Sequence, residues 1–159
     1  MIGFLVAVFA LKDSMNTYIS TLMKEQVSIY DANLDSLLID SLYNYSVNGE
    51  PNSITFLEFG AKACSACMQM EKVMAEVKSK YPDHVKVVFY NIMLPENQHL
   101  MKYYGISAIP TQILLDKRGR EYFRHTGYYS LQELENEFFE KYQLVQISFY
   151  VALHYAAEN

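Results

Sequence analysis

A chain of 159 residues is long enough for one domain with extensions and a proper buried core. Its 51% hydrophobic and 19% charged residues exclude a disordered chain, and a formal charge of −5 without a Lys/Arg cluster argues against nucleic acid as a partner. Fourteen tyrosines and nine phenylalanines stand beside no tryptophan, a bias for which the sequence offers no account beyond aromatic packing.

The first element is Ile2 to Leu11, an uninterrupted apolar run closed by Lys12-Asp13. It is too short to span a bilayer, which takes about 20 residues. It matches the hydrophobic region of a secretory signal, with Val8 and Ala10 as small residues near a cleavage point, but lacks the basic stretch such signals carry. Residues 1–11 are therefore expected to be a remnant signal or membrane anchor, as a misplaced start codon would leave. The alternative is a buried strand or helix of the fold itself. Residues 12–50 are expected to form a helical N-terminal extension, in which Leu34, Leu37, Leu38, Ser41, Leu42 and Tyr45 give one apolar stripe. Asn48-Gly49-Glu50-Pro51-Asn52 is a turn and a domain boundary.

The domain that follows is expected over 51–142, where strands and helices alternate. Ile54 to Phe59 reads as a buried strand broken at Gly60. A helix runs from about Ser65 to Tyr81, with Met70, Val73, Met74, Val77 and Tyr81 at helical spacing. Val85 to Tyr90 reads as a second buried strand, and Glu96 to Tyr104 as a short helix closed by Gly105. Thr111 to Leu115 and Glu121 to Thr126 are strands joined by an Asp116-Lys117-Arg118-Gly119 hairpin turn. Ser130 to Glu133 is a capping box that opens the last helix. Leu131, Leu134, Phe138, Tyr142, Val145 and Phe149 keep a helical register beyond that domain, so residues 143–159 are expected to be an apolar helical tail. This order implies an α/β fold with a central mixed sheet between two helical layers.

The only cysteines, Cys64 and Cys67, fall where the first strand turns into a helix. A helix N-terminus offers unpaired N–H groups and the positive end of the dipole, both of which favour a thiolate. Two intervening residues allow a reversible disulfide, with Cys64 exposed and Cys67 shielded. Two cysteines are too few for a disulfide framework, and the histidines at 84, 99, 125 and 154 show no ligand spacing to them. A metal held by two CxxC pairs across a homodimer is the metal-binding alternative.

Together these elements resemble the thioredoxin family over about Ser53 to Tyr142. Besides the CxxC after the first central strand, Glu58 stands six positions before Cys64, where the family usually has a buried Asp. Ile109-Pro110-Thr111 precedes the hairpin, and Gly127 closes it. The resemblance implies a thioredoxin-like three-layer α/β/α fold with a redox-active disulfide and no other cofactor. Cys64 is then the attacking thiolate, Cys67 resolves the mixed disulfide, and Glu58 serves Cys67 as proton acceptor and donor through a water. It also implies a cis Pro110 against the cysteines, with Ile109 pairing to an extended client segment and Gly127 leaving room for it.

Two departures from the family pattern stand out. Ala63-Cys64-Ser65-Ala66-Cys67 lacks the usual tryptophan and proline, leaving Tyr128 or Tyr129 as a replacement wall. Apart from these departures, Lys62 places a positive charge two residues before Cys64, which either depresses the thiol further or, as an exposed solvated lysine, has no effect on it. The reading is a protein disulfide reductase, extracytoplasmic and either periplasmic or membrane-anchored, with cytoplasmic as the alternative. Its partners are client proteins with disulfides and a thiol electron donor, a membrane protein in an exported setting. Residues 2–11 are expected to give the chain a means of membrane association. An oxidase or isomerase of the same fold, or a non-catalytic binding or chaperone module, are the alternatives.

Overall fold

A computed structural model describes residues 2–141, and the chain divides into two compact units, Met1–Tyr128 and Tyr129–Asn159. The first unit opens with two long helices. Helix α1 spans Ile2–Glu25, so the expected boundary after residue 11 falls inside it. The chain then breaks, and Ser28 caps α2, Ile29–Tyr43, by accepting from the Asp31 N–H at 3.1 Å. A short α3, Tyr45–Asn48, ends at Gly49.

The sheet comprises β1 (Ile54–Gly60), β2 (Val85–Asn91), β3 (Thr111–Leu115) and β4 (Glu121–Thr126), in the order β2-β1-β3-β4. β1 pairs with β2 in parallel and with β3 antiparallel, and β3–β4 is the antiparallel hairpin. Gly60 does not break β1 but is its last residue. Central β1 and β3 are buried throughout. β2 is an edge strand, so only its Val85 is fully buried, which corrects the expectation of a second buried strand. Helix α4, Ser65–Lys80, crosses from β1 to β2 and buries Cys67, Met70, Val73, Met74 and Val77. After β2, a 3-10 turn at Pro95–Asn97 leads into α5, Gln98–Tyr103.

One core cluster joins Ile39 and Tyr43 of α2, Tyr45, Leu100 and Tyr104 to Leu57, Phe59, Ile113 and Leu115 of the sheet. Much of the tyrosine excess is used here. Phe59 stacks on Tyr90 at 5.2 Å between ring centroids and lies 5.5 Å from Tyr104. The Tyr43 and Tyr90 hydroxyls bond each other, and the Tyr45 hydroxyl bonds Thr55 Oγ1 at 2.6 Å. A buried phenol keeps its polar end satisfied in this way.

The apolar stripe of α2 corrects the sequence expectation. Leu34, Leu37, Leu38 and Leu42 lie outward, with Leu37 68% exposed, while Asp35, Ile39 and Tyr43 face inward. Helix α2 is apolar on nearly all sides, so its polar residues set the rotation. Asp35 is buried against the ring N–H of His99 at Nδ1, and Tyr43 reaches Tyr90. Helix α1 meets the body at Ser20, where Gly105 (φ +63°) leaves no room for a side chain. A Cβ there would lie 2.4 Å from the Ser20 carbonyl oxygen.

In the second unit, residues 131–141 form helix α6. The Ser130 N–H and hydroxyl donate to Glu133 Oε2, and the Glu133 N–H donates back to Ser130 Oγ at 3.3 Å. Tyr142, Val145, Phe149 and His154, with the expected tail 143–159, lie outside the described residues.

Candidate active site

β1 delivers the cysteines. Its final residue, Gly60, packs so closely under α4 that a Cβ would lie 3.3 Å from Cys67 Sγ and 3.0 Å from the Phe89 ring. Glycine lets the strand end directly beneath the second cysteine without either neighbour having to shift. In the sequence Gly60 reads as a strand breaker; its place beneath Cys67 is visible only from this packing. Cys64 is the N-cap of α4, and its Sγ accepts from the Cys67 N–H at 3.3 Å. Both cysteines are free thiols, Cys64 partly exposed and Cys67 buried.

The two sulfurs are electrostatically unlike. The Cys64 thiol is held below its ordinary range, first by the Cys67 side chain, then by the Cys67 and Ala66 backbone N–H groups. Lys62 is exposed. Cys67 is pushed up to about 11, chiefly by burial and then by its hydrogen bond to Cys64 and by the Cys64 and Glu58 charges. One thiol thus gives up its proton more readily than an ordinary cysteine, and the other holds its proton more firmly.

Glu58 lies on β1 and is completely buried. Desolvation pushes its carboxyl up to about 8, aided by the Cys64 charge and opposed by a hydrogen bond from Gln112. That bond, from Gln112 Nε2 to Glu58 Oε2, is 3.0 Å long. Gln112 sits directly opposite Glu58 in the β1–β3 register and is also completely buried. It escaped the sequence analysis. Its signal is one amide beside Thr111 in a buried strand that is otherwise aliphatic, which is meaningful only once the register places it against an acid.

The same register brings the third group to the cysteine end of the sheet. Phe59, just before Gly60, pairs with Thr111, so β3 starts where β1 finishes. The Ile109–Pro110 peptide bond is cis. The Gly127 N–H donates to the Pro110 carbonyl at 2.8 Å. Thr111 Oγ1 donates to the Ala108 carbonyl at 2.8 Å and lies 3.1 Å from Thr126 Oγ1. Ile109, Pro110, Thr111 and Gly127 thus form one tied loop cluster. Tyr128 is 49% exposed, and the Tyr129 hydroxyl is committed to Glu137 of α6. Among the described residues, no three His, Cys, Asp or Glu side chains gather as a metal site.

Comparison with known proteins agrees with this geometry. A thioredoxin-like domain family matches residues 40–142. The chain is 27% identical to the thioredoxin of Haemophilus influenzae over 114 residues, covering 72% of this chain and 94% of that protein. It is 24% identical to the chloroplastic thioredoxin-like protein HCF164 of Arabidopsis thaliana over 116 residues, 73% of this chain. The chain spans only 42% of that relative's length, and 27% of the rice counterpart's. Among solved structures, a thioredoxin of Nicotiana alata superposes with a TM-score of 0.52 at 27% identity, covering 68% of this chain and 84% of that one. Thioredoxin O2 of Arabidopsis thaliana shares the fold at 22% identity, with a TM-score of 0.52, covering 69% of this chain and 87% of that one. With a mixed sheet, a capped CxxC and a family match over more than half its length, the chain belongs to the thioredoxin-like family.

Proposed function

We propose that this protein reduces client disulfides through Cys64 and Cys67; thiol–disulfide oxidoreductase chemistry in general follows from its family. The observation that carries the reading is the contrast between the two thiols, one depressed and partly exposed, the other raised and buried. The Cys64 thiolate attacks one client sulfur, and the client's S–S bond breaks as the Cys64–client bond forms. The departing client thiolate takes a proton from water. Cys67 then passes its proton to Glu58 and attacks Cys64 Sγ, and the second client thiolate leaves. Two electrons have moved to the client, and the Cys64–Cys67 disulfide is the oxidised product. A dithiol donor restores it by the reverse exchange, so the cysteine pair itself is the only redox group required.

The reducing direction is supported by what stabilises the thiolate. A dithiol oxidises strongly when its reduced form is strongly stabilised. Among the described residues the donors that lower the Cys64 thiol are neutral, the Cys67 side chain and two backbone N–H groups, and Ser65-Ala66 adds no charge. Client segments dock along the Ile109-Pro110-Thr111 and Gly127 cluster by strand-like pairing. The apolar run 2–11 supports an extracytoplasmic setting with membrane association and a membrane thiol donor. No helix among the described residues is long and apolar enough to cross a membrane.

The test is trapping. Cys67→Ser should accumulate mixed disulfides between Cys64 and client proteins, separable on non-reducing gels and released by reductant. If Cys64 stays reduced in that variant and nothing is trapped, the protein is a binding module and the catalytic reading is wrong.

A further inference from the structure

We propose that Gln112 is the positioning residue for the proton relay: it occupies Glu58 Oε2 and so reserves Oε1 for exchange with Cys67. The proposal rests on the reading above that Glu58 serves Cys67. Its basis is geometric. Glu58 and Gln112 are direct partners across β1 and β3, both completely buried, joined by the single 3.0 Å bond from Nε2 to Oε2. Glu58 Oε1 is buried and, among the described residues, has no hydrogen-bond partner. The two oxygens of one carboxyl are therefore unequal, one anchored and one open.

The chemical class of the anchor matters. A lysine or arginine in this place would pin the carboxylate in its charged form and hold it far below neutrality. Among the described residues no such cation acts on Glu58. An amide N–H is a milder partner: it donates to the carboxylate and still donates to the carbonyl oxygen of the protonated acid. The bond thus survives both halves of the cycle. When Cys67 gives up its proton, Sγ becomes the thiolate and Oε1 becomes O–H, while Oε2 keeps its donor. When the pair is reduced again, Oε1 returns that proton to Cys67. Gln112 also opposes the desolvation of Glu58, keeping the carboxyl within reach of neutral pH rather than locked as an acid.

The experiment follows the resolving step in the full chain. Reduced protein is mixed with an aromatic disulfide, and release of the second aromatic thiolate is timed from pH 5.5 to 9. Gln112→Met keeps the length of the side chain and removes the donor; Gln112→Leu gives the same comparison in a second background. Losing a donor to a buried carboxylate should move the acidic limb upward by about 1 to 2 pH units and slow resolution at pH 7 by about tenfold or more. The Glu58 carboxyl titration, read by isotope-edited infrared, should move with it. In a Glu58→Gln background the same substitutions should leave the profile unchanged. A Gln112→Met and Gln112→Leu limb superimposed on the parent, while Glu58→Gln shifts it, overturns the role of Gln112 alone. A limb unmoved by Glu58→Gln removes Glu58 from the relay, and the proposal with it.

Discussion

Replacing Glu58 with leucine should raise stability near neutral pH while impairing exchange, because the native protein bears the cost of a buried acid. The carboxyl is displaced from 4.5 to about 8 on folding. Between those values the folded protein holds a proton that the unfolded chain has released. Raising the pH therefore favours unfolding, and stability falls across this window. At about 1.4 kcal/mol per pH unit, the loss between pH 5 and pH 8 comes to about 4 kcal/mol for this group. Glu58→Leu has no such group, so its stability should lack that component. Leaving the Gln112 amide unpaired costs the variant about 1–3 kcal/mol, but this term does not vary with pH. The assay is urea denaturation of the reduced protein at several pH values, comparing slopes rather than single stabilities. Parallel curves for parent and variant between pH 5 and 8 would refute the claim that Glu58 is held as a raised, buried acid.

Other expectations concern the packing beneath and beside the site. Gly60→Ala should cost about 1–3 kcal/mol by overpacking and slow the resolving step, since its Cβ meets both Phe89 and Cys67; thermal unfolding and exchange kinetics read the two effects. Gly105→Ala should loosen α1, because its Cβ would collide with the Ser20 carbonyl at a left-handed backbone position. Limited proteolysis within residues 11–25 should accelerate relative to the parent, and unchanged protection would count against that docking. Alkylation by iodoacetamide should modify Cys64 with a midpoint below an ordinary thiol, while Cys67 reacts only as the pH approaches about 11. Mass spectrometry of the labelled peptide distinguishes the two sites.

Much of this arrangement was legible in the chain. The strands that close at Gly60, Leu115 and Thr126, the helix capped by Cys64 and the Ser130 capping box carry strong local signals: apolar runs, turn residues and cap chemistry. Hidden features depended on which residues meet across the sheet. Gln112 is an unremarked amide until the antiparallel register sets it against Glu58. Gly60 reads as a strand breaker until α4 closes over it. The α2 stripe misled for a different reason. Periodicity identifies an apolar face only when the opposite face is polar, and here Ile39 and Tyr43 lie on that opposite face. What chose between them was the need of buried Asp35 for His99 and of Tyr43 for Tyr90, two long-range hydrogen bonds that local pattern does not encode. The break at residues 26–28 has a local signal, Ser28 three positions before Asp31, that apolar periodicity does not register.

The central claim, that Cys64 and Cys67 form a reducing dithiol, is tested most directly by its equilibrium with glutathione. Protein equilibrated across a series of reduced and oxidised glutathione ratios, quenched with acid and scored for free thiols, gives the midpoint potential of the pair. The neutral surroundings of the Cys64 thiolate lead us to expect a value near about −270 mV, in the range of reducing dithiols. A midpoint between about −180 and −120 mV would contradict the account and make the protein an oxidase or isomerase.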